Sequence, residues 1–554
     1  VVGGFEPEAK PWVSPDQIPY PFEFQLLEED WDHFSILMES ALHRVPALQE
    51  TGIKMFYNGP ESFTPDNQFI LGEAPELKNF FVGAGFNSVG IASAGGAGRA
   101  LAEWIVSGEP QSDLVGVDIR RFAPFNGNNQ WLRARVGEVL GLHYSVPWPN
   151  REFATARPFR QSPIHDRIAA ANACFGSMMG WERPNYFAPA GADSSIDYAW
   201  GKQNWIPWVD EEQRATRNDV AIFDETSFGK LLIKGRDAER LLQWLCTADV
   251  NVPIGGVVYT GVLNARGTYE ADVTITRIAH DEFMWVTGSA SVVRDADWIN
   301  RHATDDMHVE VVDVSSAYAV LGLMGPKSRE LLSRVSKADL SNEAFPFGSS
   351  QLIDVGFFTV RATRLTYVGE LGWELYVPAE FANGVFDLLH EAGAALGIRN
   401  AGYYAINALR LEKGYRAFGP ELNPDYSPVE AGLLFATKLK TDIDFLGRSA
   451  LQDIKKAGPR RRLVSWVADE GDAMLWGGEL ILRDGIGVGQ VTSAAFGTTI
   501  GACVGLAYVR RLDGEAVTPE YLDAQWSVNV GGRIVPLTVS LKAPYDPTSE
   551  RVRS

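Results

Sequence analysis

The chain has 554 residues, 45% of them hydrophobic and 22% charged, with 54 glycines and 30 prolines. That is apolar material for roughly two to four packed domains, and it excludes a disordered or low-complexity protein. Lys and Arg number 50 against 70 Asp and Glu, a formal charge of −20, whose field repels polyphosphate and speaks against a nucleic-acid partner.

Cys174, Cys246 and Cys503 are widely separated and form no CxxC or Cys/His ligand spacing. Neither a disulfide scaffold nor a zinc site is expected, no metal is assigned, and a reducing compartment fits. No stretch approaches the roughly 20 uninterrupted apolar residues that span a bilayer, so no membrane partner is expected. The opening VVGGFEPEAKPW has neither a basic n-region nor an apolar h-region, unlike a signal peptide. It also lacks an initiator Met and runs from apolar residues into Gly3 and Gly4, which reads as the interior of a longer polypeptide.

In chain order, LEEDWDHFSILMESALHRVPAL spaces Phe34, Leu37, Met38, Ala41 and Leu42 by three and four, which predicts an amphipathic helix. NGPESFTPDNQFILGEAP is a Pro/Gly-punctuated turn region. FFVGAGFNSVGIASAGGAGRALAEWIVSG then predicts a strand, a glycine-rich turn and a helix from about Ala94 to Val106. Glycines there permit close backbone approach, and a helix start offers free N–H groups to negative charge.

Residues 121–188 are irregular and rich in Pro, Arg and aromatics, an ordered connector. From about 190 to 450 strands such as ADVTITRI, EFMWVTG and AYAVLGLMG alternate with amphipathic helices such as DAERLLQWL and AEFANGVFDLLHEAGAAL, an α+β pattern. Beyond KKAGPRRR, Gly-containing turns separate alternating runs in GGELILRDGIGVGQVTSAAFG and WSVNVGGRIVPLTVS. Those hairpin signals predict a small barrel or jelly roll. No tandem repeat is present.

Three constellations carry candidate chemistry. In GTYEADVTITRI the two-residue period places Val273 and Ile275 on one face and Asp272, Thr274 and Thr276 on the other, and Tyr259 ends a β-branched run thirteen residues before Asp272. Pattern alone makes Asp272 a strand residue on a solvated face. RLTYVGELGWELYVP gathers Tyr367, Glu370, Trp373 and Glu374. Aromatic faces beside a carboxylate suit a flat heterocycle with paired N–H donors, although the motif taken alone slightly favours aromatics packing a sheet edge. INALRLEKGYRAFG carries Arg410, Glu412 and Lys413, by default surface ion pairs of small worth. His33, His143 and His165 fall in no HExxH-like cluster and are taken as structural.

These segments together resemble a known family over essentially the whole chain. From about residue 190 the sequence is similar to the folate-binding aminomethyltransferase (T-protein) fold. FDETSFGKLLIKGRDAERLLQWLCTADV, YTGVLNARGTYEADVTITR, LGLMGPKSRELL, YVGELGWELY, LRLEKGYRAFG and SPVEAGL follow its pattern in order. Residues 1 to about 120 resemble the C-terminal part of an amino-acid-oxidase-type flavin domain through GPESFTPDNQFILGEAPEL, GFNSVGIASAGGAGRALAEWI and DIRRF. Their fusion through GWERPNYF resembles sarcosine and dimethylglycine dehydrogenases, and LSNEAFPF looks especially like the former.

The resemblance implies an α+β multidomain chain. Residues 1–120 would be a partial flavin domain, 121–188 the connector, 189–455 the folate-binding domain and 456–554 a small C-terminal β-barrel. It implies FAD and tetrahydrofolate as cofactors, a small methylated amine as substrate, and an electron-transfer acceptor as partner. It also implies a location in the cytoplasm of a bacterium or the mitochondrial matrix of a eukaryote. The implied reaction is oxidative N-demethylation of sarcosine or dimethylglycine, with the one-carbon unit passed to tetrahydrofolate. Carried over by position, Asp272 would be the catalytic carboxylate, and Tyr259, Asp272, Thr274, Tyr367 and Glu374 would bind folate. Thr64, Pro65 and Asp66, with Gly95, Gly96 and Gly98 at the start of their helix, would neighbour the flavin.

The departures matter as well. The family's opening GxGxxG turn and its flavin-anchoring histidine are absent, and GAGFNSVG has neither the spacing nor the βαβ context to replace them. A complete flavin site is therefore expected to need residues upstream of Val1 or a partner chain. T-proteins of the glycine cleavage system carry Arg where Ile406 stands, which weighs against a free-standing T-protein and against an aminomethyltransferase alone. EEDWDHF, RNAGYYA and RARVGEV also resemble the non-catalytic regulatory subunit of pyruvate dehydrogenase phosphatase. Tyr259, Asp272, Tyr367 and Glu374, present together, favour the enzyme over that alternative.

Overall fold

The computed structural model describes residues 2–554, and the chain divides into two compact units, residues 1–157 and 158–554. The segment read as a connector is shared between them, 121–157 in the first and 158–188 in the second. Among the described residues no helix is long and apolar enough to cross a membrane.

In the first unit the predicted amphipathic helix runs Trp31–Arg44, capped by Asp30, whose side chain accepts from the His33 N–H; the cap satisfies one of the four orphan donors of a helix start. None of its residues is buried within the unit. Strands β1 (Ile70–Glu73) and β2 (Phe81–Ala84) form an antiparallel hairpin. Helix Gly90–Ser107 closes over it through the buried Trp104. Gly72 at φ 119 lies where a Cβ would come within 2.8 Å of the Trp104 ring, so only glycine fits there.

The second unit opens with the hairpin β3 (Ala173–Met178) and β4 (Trp181–Phe187). Two sheets follow, built from β5 (Ala221–Asp224), β6 (Gly229–Lys234), β7 (Val257–Leu263), β8 (Tyr269–Ala279), β9 (Glu282–Thr287), β10 (Glu310–Asp313), β11 (Tyr318–Met324), β12 (Ser349–Val355), β13 (Phe358–Arg364), β14 (Gly372–Pro378) and β15 (Arg399–Ala401). One is five-stranded in the order β10-β6-β9-β8-β7; the other is six-stranded, β12-β13-β14-β11-β5-β15. Neighbours are antiparallel except β15 beside β5. Helices Ala238–Leu245 and Val292–His302 bury Leu241, Leu242, Leu245, Trp298 and Ile299 on one face of the first sheet. Helices Ser328–Val335 and Ala382–Gly393 do the same for the second with Leu331, Leu332, Val385 and Leu389. Each sheet is covered by helices on one face, the layered solution that its apolar alternation dictates.

The predicted C-terminal barrel is present and closed. It comprises β16 (Arg461–Ala468), β17 (Leu480–Arg483), β18 (Ile486–Gly497), β19 (Ala502–Arg510), β20 (Trp526–Val530) and β21 (Arg533–Ser540), in the order β16-β19-β18-β17-β20-β21. Closure removes the exposed edges that an open sheet of this size would carry.

Candidate active site

Strand β8 supplies the first half of the site. Ala271, Val273 and Ile275 pack under the helices, so the period of two turns Asp272, Thr274 and Thr276 to the opposite face. That face does not lie open to water along its length. Thr274 pairs with Val286 and Thr276 with Met284 on β9, and Met284 and Val286 pack against Val320 and Tyr376 of the six-stranded sheet. Asp272 is half-buried on the side where the two sheets face each other, which corrects the solvated-face expectation. The second sheet supplies the cover, and no strand pattern contains that information.

Tyr259 on β7 stands opposite Thr274 and projects from the same face. Its hydroxyl donates to Asp272 Oδ2 at 3.1 Å, and with 38% of its surface exposed it brings the pair to solvent. Burial pushes the Asp272 carboxyl up to about 7, with the charge of Asp295 adding to the effect and the Tyr259 hydrogen bond opposing it. Asp295 is itself held by Trp285 Nε1 at 3.0 Å. A carboxyl poised near neutrality that also touches solvent can both take and return a proton.

Tyr367, in the segment between β13 and β14, donates its hydroxyl to the Arg416 carbonyl at 2.7 Å and lies parallel to the Tyr415 ring, 6.0 Å between centroids. Its phenol is raised by burial, and the charge of Asp272 reaches it. Tyr259, Asp272 and Tyr367 are therefore gathered.

Glu374 belongs to a second cluster on the facing sheet. It is buried on β14, opposite Gly322 of β11 and Thr363 of β13, and accepts the Tyr376 hydroxyl at 2.6 Å. Burial raises its carboxyl to about 7 against the pull of Tyr376 and Lys230. Among the described residues no hydrogen bond or ion pair joins Glu374 to Asp272; they face the same inter-sheet space from opposite walls. Glu225 and Tyr376 on this wall, and Lys230 on β6 of the five-stranded sheet, are members of the cluster that the sequence reading missed. Tyr376 could have been found by counting two from Glu374 along the strand. The Glu225 side chain carries no such signal, because β5 ends at Asp224.

The rest of the second constellation and the whole of the third are structural. Glu370 is buried against Arg217 at 3.2 Å and Tyr545 at 2.6 Å. Arg410, Glu412 and Lys413 are not surface ion pairs, which corrects that default. Arg410 binds Glu421 at 2.9 Å, Glu412 binds Arg217 at 2.8 Å and Lys413 binds Asp546 at 2.7 Å, all six side chains being at least nine-tenths buried. The reason is position. Helix Tyr403–Glu412 is wedged against the barrel, where Glu421 also accepts from Thr492 and Ser493 of β18. Ile406 is buried with Trp205, Val209 and Leu409.

In the first unit Thr64 and Pro65 are buried, Thr64 Oγ1 donates to the Gln68 carbonyl at 2.8 Å, and Asp66 pairs with Arg121 at 2.6 Å. The glycine-rich helix begins at Gly90, capped by Val89, and not at Ala94. Gly95, Gly96 and Gly98 thus lie in its second and third turns, where backbone N–H groups are bonded within the helix. They are a correction to the expected helix start, though a Cβ at any of the three would meet nothing within 4 Å. His33 bonds Glu6 and His143 bonds Asn67.

Comparison with known proteins follows this division. Family models match residues 1–104 (FAD dependent oxidoreductase), 107–162 (FAD dependent oxidoreductase central domain), 164–441 (GCVT N-terminal domain) and 461–546 (glycine cleavage T-protein C-terminal barrel domain). The chain is 40% identical to 4-methylaminobutanoate oxidase (formaldehyde-forming) of Paenarthrobacter nicotinovorans over 100% of its own length and 66% of that protein's. It is 38% identical to mitochondrial sarcosine dehydrogenase of Mus musculus over 100% of its own length and 64% of that protein's. It thus spans about two thirds of the length of these relatives. The fold is that of the glycine cleavage system aminomethyltransferase T of Bartonella henselae, with a TM-score of 0.59 at 22% identity over 70% of this chain and 98% of that one. With the two facing sheets, the closed barrel and the matched sequence in agreement, the chain belongs to the GCVT aminomethyltransferase family, joined to FAD dependent oxidoreductase sequence at its N-terminal side.

Proposed function

We propose that the second unit binds tetrahydrofolate between its two sheets and that the complete protein oxidatively demethylates a small N-methyl amine of the sarcosine or dimethylglycine class, passing the one-carbon unit to the folate as 5,10-methylenetetrahydrofolate. The observation that carries this reading is the Tyr259–Asp272 pair, a solvent-reached carboxyl held near neutrality on the wall facing Glu374. The names of the relatives support the amine oxidation, the match to the FAD dependent oxidoreductase model supports FAD, and an electron acceptor is part of the proposal. The bacterial cytoplasm or mitochondrial matrix is the matching location.

The folate site passes a test of donor chemistry. A reduced pterin offers paired N–H donors and a flat ring, and the walls offer two carboxyls, Asp272 and Glu374, with the rings of Tyr259 and Tyr367. Bound tetrahydrofolate supplies two nitrogen nucleophiles for the methylene carbon. Asp272 takes the proton that a folate N–H must lose as the new carbon–nitrogen bond forms, and returns it to the departing amine, so that both folate protons end on the amine. Tyr259 holds Asp272 in place, and Glu374 orients the ring. Thr274 lies on the Asp272 wall, beside Tyr259.

The flavin residues fit less well. The Thr64 hydroxyl and the Asp66 carboxylate are occupied by Gln68 and Arg121, so these side chains leave no donor for a flavin, and the oxidation is assigned to none of them.

Tetrahydrofolate should raise the melting temperature of the 554-residue chain, as a ligand selective for the folded state must. In the complete flavin-loaded protein, Asp272→Asn should leave flavin reduction by the amine intact and turn the product from methylenetetrahydrofolate to free formaldehyde. Loss of both half-reactions together would refute the role of Asp272.

A further inference from the structure

The wall around Glu374 contains a carboxyl that the proposed reaction does not use. Glu225 is 2% exposed and its Oε2 is buried with no hydrogen-bond partner. A buried orphan acceptor is costly and calls for an explanation.

Its place is fixed by a glycine. A Cβ at Gly322 would lie 2.8 Å from the Glu225 carboxyl carbon and from both of its oxygens, so the carboxyl fills the position a side chain at 322 would take. Gly322 is the direct cross-strand partner of Glu374, and residues directly opposite on paired strands project from the same face. Glu225 therefore lies beside Glu374 on the face that looks toward β8 and β9. It is absent from the folate contacts drawn from the family resemblance.

Among the described residues no ion pair neutralises these two carboxyls. Lys230, the nearby cation, gives its ammonium to the Thr226 and Tyr318 carbonyls at 2.8 and 3.1 Å and to no carboxylate, and burial lowers it to about 7. Asp224, adjacent in sequence, accepts from Ser162 at 2.6 Å. Tyr376 donates to Glu374, and the Tyr403 hydroxyl bonds Ser227 at 2.9 Å. Burial and then the charges of Glu374 and Asp224 raise the Glu225 carboxyl well above the usual range. Two carboxyls in one buried site cannot both ionise cheaply.

We propose that Glu225 is a specificity residue of the folate site: as a protonated acid beside the Glu374 carboxylate, it makes a one-donor, one-acceptor clamp for the amide edge of a 2-amino-4-oxo pyrimidine ring. Glu374 accepts the paired ring N–H groups, and Glu225 donates its O–H to the adjoining ring acceptor, which gives the buried carboxyl its missing partner. This deepens the proposed function and rests on it.

The test is binding of tetrahydrofolate to the 554-residue chain by calorimetry under anaerobic conditions from pH 6 to 9, comparing wild type with Glu225→Gln and Glu225→Leu. Gln keeps an N–H donor that cannot be lost to base, and Leu keeps bulk without a donor. Asp272 is present in all three proteins and largely cancels in the ratio of affinities at each pH, whereas Glu374 responds to the charge of Glu225 and belongs to what the ratio reports. Glu225→Gln should match wild type within about twofold at pH 6 and bind no more weakly than wild type at any pH up to 9, because its N–H donor persists. Glu225→Leu should bind at least about tenfold more weakly than wild type at pH 6. Equal affinity of Glu225→Leu and wild type, or a loss in Glu225→Gln as large as in Glu225→Leu, overturns the clamp while leaving the folate site standing. Absence of tetrahydrofolate binding by wild type overturns the folate reading itself and the clamp with it. Circular dichroism melts of each variant separate misfolding from lost contact, and Glu225→Gln, nearly isosteric, decides the matter if Glu225→Leu does not fold.

Discussion

The Tyr259 hydroxyl reaches diagonally across adjacent strands to Asp272 Oδ2 at 3.1 Å, and this contact opposes the burial that raises the carboxyl to about 7. It links a solvent-exposed ring to a half-buried acid, and in the proposed one-carbon transfer it would tune that acid without closing the site.

Removing that contact has a defined direction. In Tyr259→Phe the ionised form of Asp272 loses a donor, so the carboxyl should keep its proton to higher pH, by about one pH unit if the hydrogen bond contributes about 1.5 kcal/mol. The pH profile of one-carbon transfer in the complete protein should move upward by that amount. An unmoved profile would mean that Asp272 is not the titrating group.

Glu374→Gln should weaken tetrahydrofolate binding by about 1.5–3 kcal/mol, the worth of a charge-assisted pair, read by calorimetry near neutral pH. Unchanged affinity would remove Glu374 from the ring-binding wall.

A third expectation concerns stability and pH. Glu212 is 1% exposed and accepts the Phe187 and Gly402 N–H groups at 2.7 and 2.9 Å, and burial raises it from 4.5 to about 8. The unfolded chain ionises this carboxyl near 4.5 while the folded chain holds the proton until about 8, so its contribution to stability falls as pH rises through that window. Glu212→Gln removes the titration and, having one oxygen, leaves one N–H without its acceptor. At pH 5 it should be less stable than wild type by about 1–3 kcal/mol, with the gap narrowing toward pH 8. Denaturation curves that stay parallel across this range would exclude Glu212 as a source of the pH dependence.

The buried pair of Arg410 and Glu421, 2.9 Å apart, should behave unlike a surface ion pair. Glu421→Ala takes the carboxylate from the guanidinium and leaves two further donors, Ala417 N–H and Ser493, without that acceptor, while Thr492 keeps the Leu506 carbonyl. It should cost about 3–5 kcal/mol, whereas Arg410→Met with Glu421→Met should recover part of the loss. A single variant within about 1 kcal/mol of wild type by denaturant unfolding would return this pair to the surface class.

The parts of this protein that depend on neighbours along the chain were legible in its sequence. The alternation of residues 270–276 determined that Asp272, Thr274 and Thr276 share one face of β8, because successive side chains in a strand point to opposite sides. The Gly-punctuated runs after residue 477 announced the hairpins of the barrel, because turn geometry is set locally. What lies across from a face is a different matter. Only the tertiary structure decided that the Asp272 face meets the six-stranded sheet, that Arg410 and Glu412 lie buried against the barrel, and that Glu225 fills the space left by Gly322 beside Glu374. Each of those placements joins residues far apart in sequence, with 97 positions separating Glu225 from Gly322. The same side chains would read as solvated charges wherever packing did not exclude water from them.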